Sequence, residues 1–243
     1  MKKIALFVNR LLAIFGLRIQ KINPINTPII QTMGLVRYAR INTVFDIGAN
    51  TGQFSESLRL YGYKDLIVSF EPLSSAHGQL KKKIIKLNDK KWILYEPCGI
   101  GSKKSIKVIN ISQNSYSSSF LDMNKVHLMS APDSLYVNKE TVRVIPLKSV
   151  DINLSKKNRI LLKIDTQGYE KEVLDGVGYL WQYIYAIHIE LSIEELYSGQ
   201  SKFDEIYSLI TKKGFKLWTF QQGFLGKNHQ SLQLDGLFIK ADL

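Results

Sequence analysis

The chain contains one cysteine, Cys98, among its 243 residues. An internal disulfide is excluded, and a reducing compartment such as the cytoplasm fits. Long apolar runs are missing as well. Ile4–Leu17 is interrupted by Asn9-Arg10 and falls short of the ~20 apolar residues that span a bilayer. The interruption, and the lack of an A-x-A-like cleavage site after it, argue against a secretory signal despite the Lys2-Lys3 start. Acids are scarce, with 21 Asp and Glu against 33 Lys and Arg and a formal charge of +12. That excess favours anionic neighbours, although solvated lysines account for it equally well. No basic stripe with interleaved aromatics exists, so nucleic acid is not expected as a partner. Repeats and low-complexity tracts are absent. At 45% hydrophobic and 11% aromatic, the chain can bury a sizeable core, and its length suits one α/β domain with a small extension.

Two phosphate-binding patterns are also missing. Val44-Phe45-Asp46-Ile47 leads into Gly48-Ala49-Asn50-Thr51-Gly52-Gln53-Phe54, the strand–turn–helix layout of a nucleotide site. The turn reads G-x-x-x-G, not G-x-G-x-x-G, and it lacks a Gly-Lys-Ser/Thr ending. The missing third glycine argues against an NAD-type oxidoreductase. A turn without a phosphate cradle suits a nucleoside cofactor without phosphate, of which S-adenosylmethionine (SAM) is the leading candidate. A second strand, Leu66–Phe70, ends in Glu71-Pro72. An acid at a strand tip about 20 residues past the Gly turn is placed to accept hydrogen bonds from ribose hydroxyls.

Residues 1–22 form an amphipathic pattern, with Ile4, Phe7, Val8, Leu11, Leu12, Ile14 and Phe15 opposite a polar side. Two placements fit. One is on the inner membrane surface, the other against the domain or a second subunit. Pro24 and Pro28 make 23–28 a linker, so 1–28 reads as an extension of a 29–243 domain. Helices are expected at 29–41, 54–61, 74–87 (Leu80, Ile84, Ile85 and Leu87 inward), from Tyr169, and at 202–213. Further strands are expected at 92–95, 159–164 and 186–191. Phe215–Phe220 and Leu232–Lys240 make a C-terminal hairpin. The expected fold is α/β, with a mostly parallel sheet ending in an antiparallel strand. Residues 102–158 break the alternation, adding strands at 105–111 and 141–146 around a Ser-rich stretch, and read as a substrate-facing insert.

Asp46, Gly48, Glu71, Gly99, Asp165 and Glu190 all fall at strand carboxyl ends, where open α/β sheets bind ligands. Small residues at Cys98-Gly99 would allow close approach of an adenine ring; Cys98 itself reads as a small buried residue. Methyl transfer needs an in-line acceptor and exclusion of water, and a hydroxyl acceptor also needs a base. Asp165 is the first candidate, followed by His188 and Glu190, which share a strand face. His188, in mid-strand, is also readable as an ordinary core imidazole. Asp165, Glu190 and Asp235 are an alternative set for a divalent metal, but their spacing is no diagnostic signature.

These stretches resemble the FkbM family of SAM-dependent methyltransferases: VFDIGANTGQFS (44–55), SFEPLSS (69–75), CGIGS (98–102), LLKIDTQGYEKEVLDGV (161–177), IHIEL (187–191) and LDGLFIK (234–240). The resemblance implies a class I methyltransferase fold, Rossmann-like, with a seven-stranded sheet and O-methylation. It implies that Asp46, Gly48, Asn50, Gly52 and Glu71 hold SAM, with Gln53, Phe54, Pro72, Cys98 and Gly99 beside them, and that Asp165 sits by the transferred methyl. The expected acceptor is a hydroxyl of a glycan or lipid-linked sugar. A small natural-product hydroxyl and a SAM-binding accessory role without catalysis are the alternatives. A homo-oligomer is compatible with all of these.

Overall fold

A computed structural model describes residues 2–243, and side-chain surroundings from Leu6 onward. Met1 of the expected 1–22 helix lies outside the described residues. The elements run α1 (Lys2–Ala13), α2 (Pro28–Tyr38), β1 (Thr43–Ile47), α3 (Gln53–Leu60), β2 (Leu66–Phe70), α4 (Ser74–Leu87), β3 (Trp92–Leu94), β4 (Gly99–Ile100), β5 (Ser105–Ser112), α5 (Lys125–Ser130), β6 (Tyr136–Ile145), β7 (Ile160–Ile164), α6 (Glu170–Asp175), β8 (Ile184–Ser192), α7 (Phe203–Lys212), β9 (Phe215–Gln222) and β10 (Gln233–Lys240).

The main sheet has seven strands in the order β3-β2-β1-β7-β8-β10-β9. The first five are parallel, and β10 runs antiparallel between β8 and β9. Both faces are covered, which is why β1 and β7 are buried along their whole length and are apolar on both faces except at Thr43, Asp46 and Lys163. Phe45, Ile47, Leu162 and Ile187 face a core shared with Val173 of α6 and Ile206 and Ile210 of α7. Val44, Leu161, Ala186 and Leu237 face the opposite core, with Val36 of α2, Leu58 of α3 and Leu80 of α4. On this second face, period-two alternation continues into Asp46, Lys163, His188, Glu190 and Asp235. Hydrophobic packing therefore gives way to ionisable side chains at the carboxyl ends of the parallel strands.

Local boundaries follow ordinary rules. Pro28 stands in the first turn of α2, where its missing N–H costs nothing. Asn88 closes α4 in the left-handed region. Some expectations need correction. Ile85 and Leu87 are exposed, because α4 meets the main sheet through Leu80 and Ile84 and turns Ala76 to Ile109 and Val142 of the second sheet. The third strand stops at Leu94. The strand expected at 141–146 begins at Tyr136, since β6 pairs with β5 along its full length, from Ser105↔Val144 to Ser112↔Tyr136. Exposed Asn138 and Lys139 hid that first half.

The 102–158 insert is thus partly ordered by a second sheet, β4-β6-β5. The loop between β5 and α5 is fastened by bridges Asn110↔Ser119 and Met123↔Tyr197. These hold it over the end of the main sheet.

Candidate active site

The Gly turn after β1 is shaped by close contact on every side. Gly48 has φ +74° and packs directly against the Asp165 backbone, so only glycine fits. Gly48 and Ala49 donate to the Phe70 carbonyl, at 3.1 and 3.0 Å. Glu71 then closes the turn from the second strand. Its Oε2 accepts the Asn50 N–H and its Oε1 the Leu73 N–H, both at 2.8 Å. The Glu71 carboxyl is buried, and burial pushes its pKa up to about 7 despite those two bonds.

Two expected cofactor residues stand behind this turn and do not line the cavity. Asp46 is fully buried, accepts from Ser55 Oγ at 2.6 Å and lies 3.4 Å from Lys163 Nζ. It ties α3 to the sheet. Gly52, at φ +84°, leaves room for Leu80 and Trp92, which a Cβ would crowd. Both shape the turn from beneath.

The other wall is the turn after β7, Asp165-Thr166-Gln167-Gly168. Glu170 folds back beneath it, and its Oε1 accepts from Thr166 N, Thr166 Oγ1 and Gly168 N at 3.0, 3.0 and 3.2 Å. Glu170, the first residue of α6, holds the turn in shape. Burial raises its pKa to about 7. Lys163 sits between the two walls. Its ammonium is 3.4 Å from Asp46, 3.3 Å from Asp165 Oδ2 and 3.5 Å from the Gly48 carbonyl. The register that sets Asp46 opposite Lys163 makes this possible. Burial works against the charge on Lys163, but Asp165 and Asp46 outweigh it and its pKa rises.

Gln167, at φ +54°, joins the acids. Its Nε2 donates to Asp165 Oδ1 at 2.8 Å and to Glu190 Oε2 at 2.9 Å, while its Oε1 accepts from the Tyr197 hydroxyl at 2.7 Å. Gln233 also donates to Glu190 Oε2, at 3.2 Å. Burial and the neighbouring Asp165 raise the Glu190 pKa well above that of an ordinary carboxylic acid. Glu190 therefore keeps its proton more readily than a free carboxyl does. Asp235 is paired with Glu190 in register and lies 3.7 Å from His188 Nε2. His188 lines the cavity and packs edge-on against Phe54, and its Nδ1 has no partner within the protein. Among the described residues, no group of three His, Cys, Asp or Glu side chains is arranged to hold a metal ion. The Asp165–Glu190–Asp235 metal reading is thereby withdrawn, since Gln167 already occupies the space between two of the acids.

These walls enclose a cavity of about 440 Å³, within the range of small-molecule sites. Gly48, Asn50, Gln53, Phe54, Glu71 and Pro72 line one side. Cys98 and Gly99 form another part, and burial pushes the Cys98 thiol up to about 12. It is an apolar wall atom, not a nucleophile. Asp165, His188 and Glu190 complete the far side, with Ser115, Tyr116 and Phe120 reaching over from the insert. The Asn50 side chain donates to the Ser115 carbonyl at 3.2 Å, joining the insert to the Gly turn. Sequence reasoning missed Lys163, Gln167 and Tyr197. Lys163 had a signal, a charge inside an otherwise apolar strand, which needs buried partners. Gln167 and Tyr197 had none.

A parallel sheet in this order, with an antiparallel strand inserted before the last and a cavity over the ends of β1, β2 and β7, defines a class I methyltransferase fold. Residues 46–217 match the family model described as Methyltransferase FkbM domain, and the chain belongs to that family. A solved structure of the methyltransferase FkbM from Methylobacillus flagellatus KT is 13% identical, with a TM-score of 0.49. The match covers 82% of this chain and 43% of that one, so this chain spans less than half of its length. The precorrin-6y C5,15-methyltransferase from Geobacter metallireducens GS-15 is 12% identical at a TM-score of 0.44, covering 88% of each chain. The ribosomal protein L11 methylase from Lactobacillus delbrueckii subsp. bulgaricus is 10% identical at 0.45, covering 86% of this chain and 76% of that one. None of the curated proteins compared matches.

Family and fold imply SAM as cofactor. The cavity residues suit it. Glu71 offers a fixed carboxylate with free lone pairs, and Gly48 and Gly99 let the Asp165 backbone and the Phe120 ring pack against the cavity walls. Cys98 supplies an apolar surface.

Proposed function

We propose that this protein transfers a methyl group from SAM to a hydroxyl of a glycan or lipid-linked sugar, with Asp165 as the base. One observation supports the reading above others. Glu71, on the cofactor wall, and Asp165, on the opposite wall, open into one cavity, and the buried Lys163 ammonium is shared between the Gly48 turn and Asp165.

Bound SAM would supply an electrophilic methyl group on its sulfonium. Glu71 and Asn50 would hold its ribose, and Cys98 and Gly99 would flank its base. The remaining work falls to this chain's own side chains. Asp165 takes the proton from the acceptor hydroxyl, and Lys163 Nζ, 3.3 Å from its Oδ2, holds it in place. Glu190, whose pKa burial and Asp165 raise, faces the acceptor, while Gln167 keeps the two carboxyls at a fixed separation. Tyr116 and Phe120 offer ring faces against which a sugar ring can lie. The acids at this end of the cavity disfavour a phosphate at the reacting position.

Calorimetry with SAM tests the cofactor half. The native chain should bind, and Glu71→Ala should bind at least ~30-fold more weakly, about 2 kcal/mol. No binding by the native chain would reject the reading. Mass spectrometry of envelope saccharides, incubated with protein and isotopically labelled SAM, tests the acceptor half; label on small molecules alone would move the assignment to a natural-product hydroxyl.

A further inference from the structure

We infer that residues 6–25 form a docking surface for anionic lipid headgroups, holding this chain on a bilayer without crossing it. This stands independently of the methyl-transfer reading. No helix among the described residues is long and apolar enough to cross a membrane.

Exposure provides the first argument. Leu6, Phe7, Leu11, Ile14, Phe15 and Leu17 are all more than half exposed, and Ile14 is 78% exposed. Ile19, Ile22 and Ile25 continue the surface, with Ile25 at 92%. Val8 and Leu12 on the same helix are only half-buried. So many exposed large apolar side chains in one short segment mark an interaction site.

Charge selects the occupant. The first acidic residue in the sequence is Asp46, while Lys2, Lys3, Arg10, Arg18, Lys21, Arg37 and Arg40 all precede it. Arg10, Arg18 and Lys21 are exposed among the apolar residues. A basic, acid-free segment carrying exposed Phe, Leu and Ile side chains is suited to a negatively charged lipid surface, where each Lys or Arg adds about 1 kcal/mol. A second copy of the chain would set these like charges against one another in a two-fold contact.

The third argument concerns Asn9, which in sequence interrupts the apolar run. Its side chain is consumed internally: Nδ2 donates to the Ile19 carbonyl and Oδ1 accepts the Ile19 N–H, both at 2.7 Å. That pair folds the stretch after Gly16 back along α1, so helix and return segment present one apolar unit. It also removes the cost of sinking a bare amide into the headgroup boundary, because a polar group with its hydrogen bonds made is cheap to bury. A second set of bonds stiffens the connection to α2. Asn23 Oδ1 accepts from Ile25 N at 2.8 Å, and Asn26 Nδ2 donates to the Lys21 carbonyl at 2.8 Å.

The test uses the full chain in vesicle flotation. It should bind mixed phosphatidylglycerol–phosphatidylcholine vesicles, bind pure phosphatidylcholine weakly, and release as salt rises. Phe7→Ser with Phe15→Ser should weaken binding to anionic vesicles roughly ten-fold or more. Arg10→Gln with Arg18→Gln should remove the preference for anionic over neutral lipid. These residues are exposed, so thermal melting and SAM calorimetry should be unchanged, which separates failure here from failure of the cofactor reading. Equal binding to both vesicle types, full binding by the Phe double variant, or a dimer in sedimentation equilibrium that ignores vesicles would each overturn the proposal.

Discussion

Gly48 and Asp165 are in backbone contact: a Cβ on Gly48 would overlap the Asp165 carbonyl. The turn expected to hold the cofactor and the turn expected to act on the acceptor are thus one packed unit. Gly48→Ala should therefore be expensive beyond its left-handed φ, which alone costs about 1–2 kcal/mol. Denaturant unfolding should show a loss of at least about 2 kcal/mol, and calorimetry a loss of SAM binding. A variant with native stability and native affinity would show that the two turns are not coupled this way.

pH should act on stability and on cofactor binding with opposite signs. The Glu71 and Glu170 pKa values are raised to about 7 from 4.5, and that of Glu190 is raised as well. A carboxyl whose folded pKa exceeds its unfolded one binds protons more tightly when folded. Its contribution is fully present below the unfolded value and is lost as pH rises toward the folded one. The unliganded protein should lose stability between about pH 4.5 and 7 from these groups. SAM binding needs ionised Glu71, so affinity should fall roughly ten-fold per pH unit below 7. Calorimetry across pH checks this, and Glu71→Gln should flatten the dependence.

Asp165→Asn should keep SAM affinity and lose turnover by roughly 10²–10⁴-fold. Transfer of labelled methyl to saccharide, measured beside calorimetry, separates the two. Full turnover in this variant would exclude Asp165 as the base.

Lys163 answers a different question. Lys163→Met strands the fully buried Asp46 carboxylate, at a cost of about 3–5 kcal/mol. Adding Asp46→Asn should recover most of that stability. It should not recover activity, because Asp165 still lacks the ammonium 3.3 Å from its Oδ2; turnover should stay at least ~10-fold down. Recovery of both would make Lys163 purely structural.

Tyr197→Phe removes the donor to Gln167 Oε1 while leaving the ring packed. Burial and nearby Glu190 raise the Tyr197 pKa, so its hydroxyl stays a donor throughout the accessible range. Loss of this bond should lower kcat several-fold with KM for SAM unchanged, and cost about 1–2 kcal/mol in stability.

The fold was largely legible because its signals are local. The G-x-x-x-G turn after an apolar strand, Glu71 at the next strand tip and the paired strands after α7 each depend on a few neighbouring residues. The boundary of β6 was not, because its first half is a polar, solvent-facing ladder held only by β5. Residues 85 and 87 of α4 misled for a related reason: an apolar residue on a helix declares no face until the sheet beneath it is placed.

The site divides along the same line. Sequence alone determined the cofactor turn, the acid at the second strand tip and Asp165 after an apolar strand, since each is set by spacing within one strand–turn–helix unit. Only the tertiary structure decided that Asp46 and Gly52 stand behind the turn, that Lys163 lies between Asp46 and Asp165, and that Gln167 bridges Asp165 to Glu190. It also decided that Phe7, Leu11, Ile14 and Phe15 are exposed and that Asn9 is spent on Ile19. Strand register and chain reversal bring these residues together across large sequence separations, and neither leaves a local pattern to read.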